Sequence, residues 1–251
     1  MKNIKIYTVI GVLLISSGLF TACDTEFENP NNPTEDVVLG TKGGLFALAT
    51  GIRQYYSVVA LRQIIEAPGI TTRELGVTNT FLNINELAKG GAELPNESGG
   101  ITNPWVNIIR AKGMAESLIE GANIVELSAG TKSGLLAYGN LFKAMCLGSL
   151  IEMFEQVPIN NSADGAAPFS DRTTVLSHCI TLLEEARDVL SSSPMSDEFK
   201  STVLWSDISL KKTVNAFLSR YQLMAGNYDE AITAANAVLS DSDATNSHGK
   251  A

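Results

Sequence analysis

The side chains that carry most enzymatic chemistry are scarce in this sequence of 251 residues, which holds 2 histidines and 3 cysteines. His178 precedes Cys179 in an apolar helical pattern. Neither Glu184 nor Glu185 lies at the spacing of three or four residues that would place its carboxylate beside that imidazole. His248 stands in a polar C-terminal stretch, and the sequence has no zinc-binding helix motif, glycine-rich phosphate loop or nucleophile elbow. We therefore predict no catalytic residue, no metal ligand and no cofactor, and a hydrolase is the weakest functional hypothesis.

Cys23 is a different candidate for chemistry, because it directly follows an apolar run near the N-terminus. Lys2 and Lys5 give the chain a basic start, and the stretch 6–20 is mostly apolar, which is typical of an export signal. A transmembrane helix is the alternative. Such a helix needs about 20 predominantly apolar residues, and this run is shorter. The pattern predicts a signal peptide over 1–22.

The residues around Cys23 resemble the lipobox of bacterial lipoproteins. Thr21 and Ala22 lead directly into the cysteine, although Phe20 stands where that pattern usually has Leu, Val or Ile. In such proteins the thiol is acylated, the signal is cleaved before the cysteine, and the new amino terminus is acylated too. Each buried methylene of an acyl chain contributes about 0.8 kcal/mol, so two or more chains give a lasting anchor. The resemblance implies that lipid on Cys23 holds the protein at a membrane.

The segment 23–33 is acidic and rich in Asn and Pro, with no apolar period. Such a segment cannot bury enough apolar surface to offset its ordering entropy, so we predict a flexible tether. Asp24, Glu26 and Glu28 resemble the acidic tract that follows the lipid-bearing cysteine in surface-exported lipoproteins of the Bacteroidetes type. This resemblance implies a location on the outer face of an outer membrane, at the cell surface.

The composition is acidic, with 27 Asp and Glu against 18 Lys and Arg, for a formal net charge of −9. Nucleic acid is therefore not an expected partner, since its binding depends on Lys and Arg that release counterions from phosphate. We treat 34–251 as one helical domain. Cys146 and Cys179 both lie in apolar helical patterns, which favours two packed thiols. A disulfide remains open, because an exported compartment permits one.

Apolar residues recur at helical spacing through most of the chain, and no segment shows a sustained strand alternation, so we predict an all-α fold. A long amphipathic helix is expected after a cap at Thr34 and extends to about Val59. Another helix is expected to begin at Pro104, where the missing N–H costs nothing. The stretch 135–154 is apolar on nearly all sides, which indicates a helix buried among others.

Later helices begin at Asp171 or Thr173, and a helix pair meets at a tight turn over Gly226 and Asn227. The second helix of that pair, "AGNYDEAITAANAVL", is similar in spacing to a tetratricopeptide hairpin. Hairpins of this kind bury their apolar faces by stacking on neighbours, and the stack leaves a concave face open to partners. The predicted architecture is an α-solenoid of tetratricopeptide-like hairpins.

The segment 67–103 lacks a helical period, is rich in Gly, Thr and Asn, and contains Pro68 and Pro95, which predicts a long irregular loop. Loops of this length within a domain are usually functional or disordered. Sugar recognition uses aromatic faces and planar polar groups. The candidate ligand-binding residues of this kind are Arg73, Asn79, Phe81, Asn83 and Asn85 in the segment, and Trp105 just beyond it. Their alternatives are a ligand-free surface loop and, for Trp105, a place in the core.

In their order along the chain, these features resemble the SusD/RagB family of nutrient-binding outer-membrane lipoproteins. The resemblance includes the lipid cysteine with "NPNNPTEDV", then "NPWVNIIRAKGMAESLI", and is strongest at "LLAYGNLFKAMCLGSLIEMFEQVPI". Phe154, Val157 and Pro158 match the end of that last motif, and Glu155 replaces its usual glycine. It continues through "FSDRTTVLSHCITLLEEARDVL" and "LKKTVNAFLSRYQLMAGNYDEAITAANAVL".

The resemblance implies a lid over a TonB-dependent, SusC-like outer-membrane channel. Such a protein captures glycans or other nutrient oligomers and hands them over without chemistry. By this resemblance 34–251 corresponds to the N-terminal, tetratricopeptide-like portion of the family, either of a truncated member or of a fragment. Family members usually carry a second, C-terminal half that contributes to the ligand site. A surface scaffold that uses the helical repeats to hold another protein, with no small ligand, is the alternative hypothesis.

Overall fold

The computed structural model describes residues 39–78, 80–162, 164–204 and 209–240. The predictions for 1–22, Cys23, the tether, Thr34 and Asn79 fall outside these residues. In chain order the described elements are α1 (Lys42–Tyr55), a π-helical turn (Tyr56–Ala60), α2 (Leu61–Thr71), α3 (Leu82–Lys89), a 3₁₀ turn (Gly91–Glu93), α4 (Gly99–Ile124), α5 (Ala129–Met153), β1 (Gln156–Pro158), β2 (Phe169–Asp171), α6 (Arg172–Ser192), the single turn α7 (Asp197–Phe199), a second π-helical turn (Lys200–Leu204), α8 (Leu210–Ala225) and α9 (Tyr228–Ser240).

The helix α5 is the centre of the core, as the apolar stretch 135–154 predicted. Ser128 caps it by accepting a hydrogen bond from the Thr131 amide at 3.3 Å. The helices α4 and α6 pack against α5. Within the described part of the chain α5 alone is long and apolar enough to cross a membrane, and 89% of its most apolar stretch is buried by protein. Burial along most of its length explains why this helix is apolar on nearly all sides.

The two thiols of the core are packed and unbridged. Cys146 on α5 and Cys179 on α6 are free and buried. Burial raises the pKa of both thiols, that of Cys179 to about 12, because a thiolate would lose its hydration. The prediction of two packed thiols rather than a disulfide is confirmed.

The helices α8 and α9 form the predicted hairpin. Gly226 ends α8 with φ of +82°, a conformation that costs glycine nothing, and the Asn227 amide closes the turn on the Gln222 carbonyl at 2.9 Å. Asp171 caps α6 by accepting from the Thr174 amide at 2.8 Å, which selects the first of the two predicted starts. The prediction of an all-α chain of packed helical hairpins is confirmed.

The prediction of a long irregular loop over 67–103 is wrong in extent. A π-helical turn joins α1 to α2, so helical backbone continues to Thr71 with Pro68 inside it. Proline in a helix interior removes one hydrogen bond and is costly, which is why the sequence suggested a break there. Packing compensates, since Ala67 and Ile70 are buried with Leu87 of α3 in a small second core.

The predicted start of a helix at Pro104 is also wrong. The helix α4 begins at Gly99, and Ser98 caps it by accepting from the Gly100 amide at 3.3 Å. Ser98 also donates to the Glu86 carboxylate at 2.6 Å, which ties the start of α4 to α3. These contacts fix the helix start before the proline, so Pro104 lies inside α4 rather than at its first position.

Two further details differ from the sequence interpretation. The described helix that carries the first apolar stripe begins at Lys42, because Thr41 accepts a hydrogen bond from the Gly44 amide at 3.1 Å. A small antiparallel sheet, in which Val157 lies opposite Ser170, was not predicted. Strands of three residues are too short to show a periodic pattern.

Candidate functional site

A polar hollow of about 250 Å³ opens where α2, α3 and the first turns of α4 meet. Three local features place these elements together. Gly90 ends α3 with φ of +64°, Ser98 starts α4, and Gly100 brings the backbone of α4 close to α3. A Cβ at position 100 would lie 3.1 Å from the Asn83 carbonyl oxygen, so this close approach favours glycine.

Three carboxamide side chains line the hollow, those of Gln63, Asn83 and Asn103. A Cβ built on Gly99 would lie 3.3 Å from Asn103 Nδ2 and 3.5 Å from Asn83 Nδ2, so the two asparagines flank the same glycine. No hydrogen bond links any of these three side chains to another described residue; Gln63 and Asn83 are half-buried, and Asn103 is exposed. Each carboxamide offers donors and an acceptor to a ligand.

A charged pair and an aromatic ring complete the polar hollow. Arg62 donates from Nε to the Glu66 carboxylate at 3.0 Å, one turn apart on α2. Phe81 lies immediately before α3 and is 67% exposed. Its ring supplies an apolar face beside hydrogen-bonding groups, which is the combination that pyranose rings require.

A second, more apolar hollow of about 450 Å³ adjoins the first. Ala67, Leu87 and Gly100 line both hollows and so lie between them. The apolar lining of the second hollow is supplied by Pro68, Leu94, Ile101, Pro104, Met153 and Phe154. Because the hydroxyl groups of its threonines, Thr71 and Thr72, donate to backbone carbonyls of α2, the second hollow offers few donors to a ligand.

The structure brings two of the candidate ligand residues into one place and separates the others. Phe81 and Asn83 line the polar hollow together. Asn85 turns its side-chain amide to the Phe81 carbonyl at 3.0 Å. Arg73 is exposed, with φ of +65°, on the connection after α2 and does not line the hollow.

Trp105 also lies away from the polar hollow. Its ring stacks on Phe169 of β2, with ring centroids 5.8 Å apart, and meets Phe154 edge-on at 5.0 Å. It is partly buried against the main core. This packing corresponds to the core alternative for Trp105.

Sequence interpretation missed Arg62, Gln63, Glu66 and Asn103, which line the polar hollow. Three of them lie on α2, beyond the point where the apolar stripe of the first helix weakens. Asn103 directly precedes Pro104, which was taken as the start of the helix. In the sequence these residues are marked only as polar positions on one face of a helix. Every solvent-exposed helix has such a face, so the pattern does not distinguish a binding site.

His178 shows no catalytic arrangement. Its Nε2 atom is buried and has no hydrogen-bond partner among the described residues. Burial, followed by the positive charge of Lys143, lowers the pKa of His178. The neighbouring Cys179 thiol is buried with a raised pKa, which leaves it unreactive. Within the described ranges no group of three or more His, Cys, Asp and Glu side chains could hold a metal ion.

Comparison with known proteins supports the fold. No protein-family model matches this chain, and no curated protein matches it. A solved structure of a SusD-like protein from Bacteroides fragilis matches with a TM-score of 0.60 and 14% sequence identity, over 82% of this chain. The match covers 39% of that protein, so the chain spans about two fifths of its length. At this level of identity the likeness shows a SusD-like fold.

Proposed function

We propose that this protein is a lipid-anchored, surface-exposed lipoprotein of the SusD/RagB type. In this role it binds nutrient oligomers, glycans above all, and delivers them to a TonB-dependent, SusC-like channel in the outer membrane. The SusD-like fold and the lipobox-like sequence at Cys23 both support this role.

The observation that carries the binding role is the set of carboxamides in the polar hollow that have no hydrogen-bond partner among the described residues. Sugar hydroxyl groups both donate and accept, and a carboxamide can do both at once. Gln63, Asn83 and Asn103 are held by three different helical elements, so the hollow is shaped before a ligand arrives. A preformed site avoids part of the ordering cost of binding.

Binding without chemical conversion is also consistent with the site. Among the described residues, the charged groups that line the hollow are Arg62 and Glu66, and they form an ion pair at 3.0 Å. Glycoside hydrolysis requires two carboxyl groups on opposite sides of the scissile bond, and this hollow has one. The proposed role is therefore capture and transfer.

Binding is tested with the soluble chain that starts at Asp24, first on a glycan array and then by calorimetry. We expect Phe81→Ala and Asn83→Ala each to weaken oligosaccharide binding about three- to tenfold, the equivalent of one lost hydrogen bond or ring contact. Tyr228→Ala, which removes an aromatic ring that is 65% exposed on α9, and Gln54→Ala, which removes an exposed carboxamide on α1, are matched controls. Absence of binding to any oligosaccharide, or equal losses in the controls, would contradict capture by this hollow.

Anchoring is tested by membrane fractionation of cells that express the full chain. The native protein is expected in the outer membrane with diacylglyceryl mass on Cys23, and in a complex with a large β-barrel protein. A Cys23→Ala variant is expected to lose the lipid and leave the membrane fraction. A native N-terminus at Met1, or an unmodified Cys23, would remove the proposed location.

A protein-interaction scaffold is the second candidate, and one observation favours it. The terminal hairpin carries a set of exposed apolar side chains: Leu223 (57%), Tyr228 (65%), Ile232 (58%) and Leu239 (83%). Exposed apolar clusters often mark protein contacts. Retention of a protein partner that is lost in Ile232→Glu, together with no oligosaccharide binding, would favour the scaffold over capture.

A further inference from the structure

A separate polar cleft of about 580 Å³ lies along the C-terminal half of α4. It is lined by Glu116 and Glu120 of α4, Lys143 of α5, and residues 160–162 of the loop that follows β1. None of these residues lines the polar hollow. Asn103 and Glu116 are about 20 Å apart along α4 at 1.5 Å per residue, so the two places are distinct.

Two lysines and one glutamate are withdrawn from water at the base of this cleft. The exposed fractions of the side chains are 0% for Lys112, 9% for Lys143 and 20% for Glu116. Glu116 Oε1 lies 3.1 Å from Lys112 Nζ and 3.2 Å from Lys143 Nζ. Glu116 Oε2 accepts from the Asn161 amide at 3.1 Å, so both oxygens of the carboxylate are occupied.

The hydrogen-bond capacity of the two ammonium groups is not exhausted by the described residues. Lys112 donates to Glu116 and to the Ile159 carbonyl at 3.1 Å. Lys143 is paired with Glu116 and donates to Asn160 Oδ1 at 2.6 Å. Each ammonium has three donors, so each retains one. Lys112 is enclosed, whereas Lys143 lines the cleft and can present its remaining donor there.

The desolvated charges do not balance, since two ammonium groups share one carboxylate. An unpaired charge away from water is costly, and a buried pair is stable only when its remaining donors are satisfied. Burial is the main cause that lowers the pKa of Lys112; the carboxylate of Glu116 opposes this shift, and the charge of Lys143 adds to it. Glu120 and Glu185 are exposed, and Glu185 accepts from Asn140 at 3.3 Å. Water screens their charges, so they offset the surplus in part, and Glu120 does so from the rim of the cleft itself.

Two further donors face the same cleft. The Ser117 hydroxyl makes no hydrogen bond within the described part of the chain, and Asn160 accepts from Lys143 while its Nδ2 group remains uncommitted there. A carboxylate or sulfate has several acceptor oxygens, and a charged donor flanked by neutral donors suits such a group.

We propose that this cleft binds an oxyanion, the carboxylate or sulfate of an acidic ligand, with Lys143 Nζ as its charged donor and Ser117 and Asn160 as neutral donors. The site is independent of the proposed oligosaccharide site in the polar hollow. A variant that loses oxyanion binding but keeps oligosaccharide binding, or the reverse, would therefore separate the two proposals.

The test is a calorimetric titration of the soluble chain from Asp24 with sodium glucuronate, with glucose as the neutral match, and in a separate arm with sodium sulfate. Binding of glucuronate or sulfate that is tighter than any binding of glucose supports the proposal. Comparison of the two anion titrations shows which oxyanion is preferred. Binding of neither anion overturns it. Equal binding of glucuronate and glucose also overturns it.

Variants assign the binding to the cleft. Lys143→Gln is expected to weaken anion binding about tenfold or more, the loss of one charge-assisted hydrogen bond. Glu120→Gln removes a like charge from the exposed rim, needs no rearrangement of the core, and is expected to tighten binding about two- to fivefold. Lys132→Gln, on the first turns of α5 and outside the cleft, is the matched control and should change nothing. If Lys143→Gln does not fold, unchanged anion affinity in Glu120→Gln overturns the proposal.

Discussion

At the residue scale, the contact between α5 and α8 depends on a missing side chain at position 148. The Tyr221 hydroxyl is buried and donates to the Ala144 carbonyl at 3.2 Å, which lays the phenol ring over Gly148. A Cβ on Gly148 would lie 2.7 Å from Cε1 of that ring. Both helices are buried on this side, so they cannot move apart to make room for a Cβ without loss of packing.

We therefore expect Gly148→Ala to lower the free energy of unfolding by about 1–3 kcal/mol through overpacking. Gly43→Ala is the matched control. It lies in the first turn of α1 with no atom within 4 Å of the added Cβ, so alanine should raise the free energy by about 0.5–1 kcal/mol through its better helix propensity. Urea unfolding measures both, and stabilisation by Gly148→Ala would contradict the packing described.

Buried ionisable side chains predict a loss of stability at alkaline pH. Burial raises the pKa of Cys179 from 9.0 to about 12, and that of Tyr56 and of Tyr138 from 10.0 to about 12. The unfolded chain loses these protons first. Their contribution is thus fully present below pH 9 and falls as pH rises towards 12.

The measurement is urea unfolding at increasing pH above neutrality, with Cys179→Ala as the comparison. We expect a shallower decline from about pH 9 in the variant, because only Cys146, whose pKa is also raised by burial, still contributes there, and we expect the part that starts near pH 10 to be kept. An unchanged decline in the variant would show that the thiol does not contribute.

At the element scale, the sequence predicted those helices whose ends and faces are marked by local chemistry. The turn at Gly226, the cap at Asp171 and the mostly apolar α5 all follow from rules that involve a few neighbouring residues. The helices α2 to α4 did not follow, because Pro68 and Pro104 lie inside helices that tertiary packing and the Ser98 cap maintain.

The contrast between local signals and tertiary packing also explains how much of the candidate site could be predicted from the sequence. Phe81 and Asn83 stand out as an aromatic and a carboxamide outside any predicted helix. Gln63 and Asn103 lie on helices, and only the meeting of α2, α3 and α4 turns them towards one hollow. That meeting depends on contacts between residues distant in sequence, such as Ser98 with Glu86.

Hydrogen exchange should distinguish α3 from the core helices. The helix α3 buries Leu87 alone, and this residue belongs to the small second core. The helix α5, in contrast, is buried along most of its length. We expect the amides of α3 to exchange through local opening, much faster than those of α5, as weakly buried elements do. Equal protection of α3 and α5 would contradict a separate, weaker second core.

At the scale of the whole molecule, the described domain combines a buried helical core with two polar depressions at different parts of α4, which we propose as recognition surfaces. The polar hollow lies at the weakly buried α2–α3–α4 junction, and the oxyanion cleft lies beside buried lysines of the main core. Binding in the hollow should therefore stabilise the least protected part of the domain, since a ligand stabilises the elements it contacts.

The most direct test of oligomer capture is hydrogen exchange of the soluble chain from Asp24, with and without the oligosaccharide that binds most tightly on the glycan array. Capture by the polar hollow should slow exchange in α3 and the first turns of α4, have a smaller effect in α2, and leave α8 and α9 unchanged. Oligosaccharide binding that leaves α3 unprotected, or that protects the terminal hairpin instead, would contradict capture by the polar hollow.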